Sequence, residues 1–147
     1  ASIFKDVCSR RGDFEKLATD LRKGRRTTPA MKHGIDFEPV AAELYSRVFG
    51  RSVYKVGFII NPSCYFLGCS PDRRVFDPCE TISPWGLLEI KCTTSDSVAD
   101  VKYLKTVVTE ANDTVIQLNR KHKYYHQVIG QLALTGSAWC DFFCSCH

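Results

Sequence analysis

Three residues in this chain have the types and spacing to do chemistry together: Asp72, Glu89 and Lys91. Asp72 closes the run Gly68-Cys-Ser-Pro-Asp72, just after a proline, where the chain is extended or turning. Glu89 and Lys91 lie in Gly86-Leu-Leu-Glu-Ile-Lys91, two apart. On a strand their side chains share a face, while Ile90 points the other way into a core. If the two apolar runs pair as strands, the carboxylates of Asp72 and Glu89 meet at one end with the Lys91 ammonium beside them. Two hard carboxylates in one place suit a divalent cation; Mg²⁺ is characteristically held by one or two carboxylates plus water and substrate phosphate. A lysine at that cation's side can position a water or stabilise charge on a phosphate. The chemistry implied is metal-assisted hydrolysis of a phosphodiester. Alone, a Glu-x-Lys on a strand is more often an ordinary, weakly stabilising charged face.

The elements that must position these residues follow from periodicity. Asp13 to Arg22 predicts a short helix, with Phe14, Leu17, Ala18 and Leu21 at helical spacing and Gly24 as its stop. Arg25 to Lys32 is a basic, proline-containing connector. His33 to Phe49 predicts the strongest amphipathic helix, with Phe37, Val40, Ala41, Leu44, Tyr45 and Val48 as its apolar stripe and Gly50 at its end. Pro39 suits a first turn, so regular helix is expected to begin nearer Glu38 than His33. A carboxylate there complements the helix dipole, which makes Glu38 a cap on local evidence. Val53 to Ile60, Tyr65 to Cys69, Arg73 to Phe76 and Gly86 to Cys92 read as strands, the last of them central. Val98 to Val108 predicts a helix on a partial stripe of Val101, Leu104, Lys105 and Val108, followed by a break at Glu110 to Thr114. Lys121 to Leu134 predicts a second strong helix, closed by Gly136, on which Gln127 and Gln131 share a face. Locally those amides are expected to bridge to backbone or water. Ala138 to Cys146 reads as a final strand. Strands interleaved with helices imply an α/β fold, a mixed central sheet flanked by helices.

Composition bounds the rest. The 147 residues are expected to form one domain, with a core from about residue 33 onward and a helical, basic segment over 1–32. A first residue other than Met admits a shortened N-terminus. Hydrophobic content of 44% and charged content of 24% are those of a soluble globular protein. No run approaches the ~20 apolar residues of a membrane helix, and the mixed polar start carries no signal-peptide pattern. The expected setting is intracellular, in nucleus or cytoplasm, with no membrane partner. The net charge of +4 is mild and compatible with a nucleic-acid partner. The basic patches Arg22-Lys-Gly-Arg-Arg26 and Arg120-Lys-His-Lys123 read equally well as solvated faces. Eight cysteines do not make a disulfide scaffold in a chain with enough length for a core. Cys64, Cys69, Cys79 and Cys92 read as small buried hydrophobes. Cys140, Cys144, Cys146 and His147 crowd the C-terminus, where zinc is conceivable although Cys-x₂-Cys spacing is missing.

Four segments in order carry a family resemblance. They are His33-Gly-Ile-Asp-Phe-Glu-Pro-Val-Ala-Ala-Glu-Leu-Tyr45, Leu67-Gly-Cys-Ser-Pro-Asp72, Gly86-Leu-Leu-Glu-Ile-Lys-Cys92 and Tyr124-Tyr-His-Gln-Val-Ile-Gly-Gln-Leu-Ala-Leu-Thr-Gly136, with Trp139-Cys-Asp-Phe-Phe143 closing the set. Together they resemble the PD-(D/E)XK nuclease superfamily, in the branch of phage lambda exonuclease and the YqaJ-type viral recombinases. One Glu-x-Lys is a weak signal; this ordered set is a strong one. The resemblance implies that Asp72 and Glu89 bind the metal, with the Ile90 backbone carbonyl as a further ligand. It implies that Lys91 orients or activates water, that Glu38 reaches the metal through water, and that Gln127 borders the site. Two departures stand out. Arg73, followed by Arg74, replaces the glycine usual after the metal aspartate, and these two arginines become candidate phosphate contacts. The family's N-terminal phosphate-binding arginine has no clear counterpart, with Arg22, Arg25 and Arg26 as candidates.

The resemblance thus implies a Mg²⁺-dependent DNA nuclease, with Mn²⁺ able to substitute. The favoured reading is a 5′-to-3′ exonuclease on duplex ends in recombination, repair or viral DNA processing. Its binding would be largely sequence-independent and salt-sensitive. A single-strand-annealing recombinase and an oligomeric assembly are the partners such a nuclease implies. The alternatives are a structure-dependent endonuclease of the same fold, a catalytically silent DNA-binding module, and a zinc-dependent interaction domain built on the terminal cysteines.

Overall fold

The computed structural model describes residues 13–23, 27–95, 97, 100–109 and 112–146. Helix α1 spans Phe14–Arg22 and is capped by Asp13, whose Oδ1 accepts from the amides of Glu15 and Lys16. Helix α2 runs over Pro29–Phe49. Strands β1 (Ser52–Lys55), β2 (Ile59–Asn61), β3 (Cys64–Cys69), β4 (Arg73–Phe76) and β5 (Trp85–Thr93) follow. After them come β6 (Leu104–Val108), β7 (Thr114–Leu118), helix α3 (Lys123–Thr135) and strand β8 (Cys140–Cys146). Among the described residues no helix is long and apolar enough to cross a membrane.

The central sheet has the order β1-β4-β5-β8. Its first three strands are antiparallel neighbours, and β8 lies parallel to β5. Side chains alternate along β5. Leu88 and Ile90 join Val75 of β4 and Ala41, Ala42 and Tyr45 of α2 in the apolar core. Glu89 faces the other way, to α3. The mixed sheet flanked by helices expected from the sequence is therefore present.

Several local expectations are corrected. Helix α2 begins at Pro29, not near Glu38, because Thr28 caps it by accepting from the Met31 amide at 3.2 Å and Pro29 suits the first turn. Pro39 thus sits inside the helix. The expected stripe is rotated: Val40 and Val48 are exposed, and the sheet-facing side is Ala41, Ala42 and Tyr45. Glu38 is in helical register with that side, three, four and seven residues ahead of them. The stretch 53–60 is two strands in different sheets, not one. Strand β3 pairs with β2 in its own hairpin; the antiparallel partner of β5 is β4. The helix expected within 98–108 is instead strand β6, paired with β7. Its partial stripe included a lysine, whereas the β-branched residues Thr106, Val107, Val108, Thr114, Val115 and Ile116 favour extended chain. Asn112 makes the turn with a φ of 62°. Cys79, expected inside, is exposed, and the described cysteines are free thiols.

At the end of the sheet marked by Asp77, one arginine ties four segments together. Arg51 Nε donates to Asp77 Oδ2 at 2.7 Å, and its Nη1 donates to Asp141 Oδ2 at 2.5 Å and to the Tyr45 hydroxyl at 2.8 Å. Tyr45 donates in turn to Asp141, and burial together with that acceptor raises its pKa. The Arg51 guanidinium lies 5.3 Å from the Trp139 ring centre. Trp139 covers Gly86 so closely that a side chain there would overlap its ring. Removing the guanidinium leaves two carboxylates near each other without their cation. Arg51→Met is expected to lower stability by roughly 2 kcal/mol, a fall in Tm of about 4–8 °C. A thermal scan in which the variant melts with wild type would show that this clasp contributes no net stability.

Candidate metal centre

The strand register brings the chemistry together. Arg73 of β4 lies opposite Leu88 of β5, so Asp72, one residue earlier, comes level with Glu89. The Ile90 amide donates to Asp72 Oδ2 at 2.7 Å, which orients that carboxylate. Lys91 Nζ lies 3.7 Å from Asp72 Oδ2, donates to the Ile90 carbonyl at 2.8 Å, and bonds directly to Glu89 Oε1. Two carboxylates and a backbone carbonyl thus converge on one ammonium.

Glu89 is the most enclosed of these groups, with 1% of its surface exposed. Helix α3 makes that tolerable. Gln127 Nε2 donates to Glu89 Oε1 at 2.6 Å, and Gln131 Nε2 donates to Oε2 at 2.9 Å. The two amides are one turn apart on the same helix face, so each reaches a different carboxylate oxygen. Tyr124, one turn earlier, places its ring centre 5.1 Å from Lys91 Nζ. Burial, with the charge of Asp72 added to it, raises the Glu89 pKa against the opposing pull of Lys91 and Gln131. Burial works to lower the Lys91 pKa, but Glu89 and Asp72 outweigh it and hold the ammonium charged.

Glu38 stands one residue removed from the centre, behind Arg73. Its Oε1 accepts from Arg73 Nη1 at 2.5 Å, and the same nitrogen donates to the Asp72 backbone carbonyl at 2.6 Å. Arg73 is buried and committed to these two oxygens, a different placement from that expected of an open phosphate contact. Arg74 is exposed and stacks on Trp85, 4.4 Å from its ring centre. Arg25, Arg26 and His147 lie outside the described residues. Tyr103 Oη and Cys144 Sγ lie within hydrogen-bonding distance at 3.2 Å, and burial raises the Cys140 thiol to about 12. Among the described residues no three His, Cys, Asp or Glu side chains gather to hold a metal.

The donor set at Asp72, Glu89 and the Ile90 carbonyl nevertheless fits a hard divalent ion. It is all oxygen, it already surrounds a cation in the Lys91 ammonium, and it leaves positions for water and phosphate. The carbonyl oxygens of Gln127 and Gln131 are buried without a protein donor, which leaves two acceptors for ordered water beside Glu89.

The fold is that of the PD-(D/E)XK nucleases. A model of the YqaJ-like viral recombinase domain matches residues 1–138, and the chain belongs to that family. Two solved structures are similar over 97% of this chain and 66% of their own. The crystal structure of an alkaline exonuclease (LHK-Exo) from Laribacter hongkongensis is 27% identical with a TM-score of 0.67. The crystal structure of LHK-Exo in complex with dAMP is 25% identical with a TM-score of 0.62. No curated protein matches the chain. This chain therefore spans 66% of the length of those exonuclease chains.

Sequence reasoning does not single out Gln131 or Tyr124 as site residues, and it names Glu38 and Arg73 separately without pairing them. The first two carry a usable signal, since they share a helix face with Gln127. The ion pair joins residues 35 apart in the chain and has none. The raised Glu89 pKa has a thermodynamic consequence. A carboxyl that holds its proton more tightly when folded favours folding below the ordinary 4.5, and that advantage is lost as pH rises through the raised value. In buffer with chelator, wild type is expected to lose stability relative to Glu89→Gln as pH rises from about 4 to about 8. A Tm difference that does not change with pH would contradict this account of Glu89.

Proposed function

We propose that this chain is a divalent-metal-dependent DNA nuclease domain, with Mg²⁺ as its ion and Mn²⁺ able to substitute. The observation that carries the reading is the convergence of Asp72, Glu89 and the Ile90 carbonyl on the Lys91 ammonium, in a chain of this family and fold. Its likeness to an alkaline exonuclease supports exonuclease action; action on duplex ends, 5′ to 3′, beside a single-strand-annealing recombinase is the finer reading that the family resemblance implies.

Asp72 and Glu89 would hold the ion, with the Ile90 carbonyl as a further protein ligand. Once bound, the ion supplies Lewis acidity to the phosphate and makes water a better nucleophile at neutral pH. Gln127 and Gln131 fix Glu89 so that its oxygens do not turn away, and their free carbonyls accept from water at the site. Lys91, kept protonated, works as a charged donor to the attacking water and the phosphate rather than as a proton acceptor. Arg73 and Glu38 brace the Asp72 backbone from the α2 side.

Incubation of end-labelled linear duplex with Mg²⁺ tests the reading. Wild type is expected to release nucleotides, chelator to stop release, and Glu89→Ala or Lys91→Ala to slow it by at least ~100-fold. Covalently closed circles should remain intact. Equal digestion by all three proteins would refute the site. Cutting of circles at a similar rate would make the enzyme an endonuclease. Salt-sensitive DNA binding with no release in Mg²⁺ or Mn²⁺ would make it a binding module.

A further inference from the structure

The basic segment Arg120-Lys-His-Lys123 has no part in the centre described above, yet the fold sets it beside that centre. Arg120, Lys121 and Lys123 are all exposed where β7 passes into α3. The Asn119 amide donates to the Tyr103 carbonyl at 2.8 Å, which brings the neighbourhood of exposed Lys102 against the same corner. Lys123 Nζ lies 5.5 Å from the Tyr124 ring centre, and Lys91 Nζ lies 5.1 Å from that same ring. One aromatic ring therefore joins the surface cations to the lysine of the metal centre. Tyr103 and His122 pack against Tyr124 with ring centres 5.1 and 4.7 Å away, giving the corner a firm aromatic base. The sequence from Thr114 to Cys140 contains no acidic residue at all. Among the described residues no ion pair engages Arg120 or Lys123.

Exposed Arg120 and Lys123, engaged by no ion pair among the described residues, are poorly explained as part of a self-neutralised solvated face. Their continuity with Lys91 gives them a direction. We propose that Lys102, Arg120, Lys121 and Lys123 form a shoulder that holds backbone phosphates of the nucleic acid whose reacting bond lies at Lys91. This rests on the nuclease reading. The shoulder meets phosphates, so it adds affinity and register without sequence preference. Tyr124 is the hinge point of the arrangement, with the reacting phosphate on the Lys91 side and the flanking phosphates on the Lys123 side.

Binding of a fluorescein-labelled duplex in chelator, titrated over a series of salt concentrations, tests the shoulder without hydrolysis. For the triple variant Arg120→Gln, Lys121→Gln, Lys123→Gln, affinity is expected to fall about tenfold to a hundredfold near 0.1 M salt, and the slope of log K against log salt to become shallower by about one per neutralised cation. The melting temperature should stay that of wild type. Single variants Arg120→Gln and Lys123→Gln repeat the measurement with a slope change of about one each, should the triple variant fold poorly. A wild type that binds and digests duplex alongside variants of unchanged slope and affinity would overturn the shoulder alone. A wild type that neither binds nor digests duplex would overturn the nuclease reading and the shoulder with it.

Discussion

A carboxylate almost fully withdrawn from water is the constraint from which the rest of this structure follows. An ionised Glu89 in such a place is costly unless every lone pair finds a donor or a cation. Lys91 supplies the charge, and Gln127 and Gln131 supply the two amide donors. Those donors come from a helix, so α3 has to cross this face of the sheet with its amide-bearing side inward. The opposite face of β5 then carries Leu88 and Ile90, so α2 has to cover them with a smooth apolar surface. Ala41 and Ala42 allow that close approach. The two helices on the two faces answer the two demands that a single alternating strand makes.

The charged groups divide into two sets with different work. Arg51, Asp77, Asp141 and Tyr45 tie together α2, the start of β1, the end of β4 and the start of β8. Their contribution is to hold segments in place. The other set, Asp72, Glu89, Lys91 and the Glu38–Arg73 pair, gathers like charges and draws them out of water. That arrangement is poor for stability and good for capturing a divalent ion, a trade common at functional sites. Arg73 is informative here. A buried guanidinium between Glu38 and the Asp72 carbonyl adds positive charge close to a centre otherwise rich in carboxylates. It offsets repulsion among them.

Much of this is legible in the residues alone, and the failures have identifiable causes. Glu89, Ile90 and Lys91 can be assigned opposite faces because strand alternation is a property of the backbone. Their grouping with Asp72 is also legible, although the sequence points to the wrong strand as partner: β3 holds to β2, and the short β4 does the pairing. Apolar composition cannot say which of two adjacent strands joins a sheet. The helical stripe on α2 reads wrongly from sequence because Val40 and Val48 are more hydrophobic than Ala41 and Ala42. A close-packed helix–sheet interface selects small residues over hydrophobic ones. The β6–β7 hairpin is masked by a weak helical period laid over a run of β-branched residues.

The sequence by itself determined the chemistry on offer and its order along the chain: an acid after a proline, an acid and a lysine two apart on a buried strand, and two amides one turn apart on a helix. These are local relations, set by the fixed periods of strand and helix. Only the tertiary structure decided which oxygen meets which donor. It closed both amides on Glu89, turned the Ile90 amide onto Asp72, and gave Arg73 to Glu38 rather than to solvent. Such pairings join residues tens of positions apart. They exist because the sheet register and the helix crossings bring them within about 3 Å, the reach of a hydrogen bond, and no pattern along the chain encodes that distance.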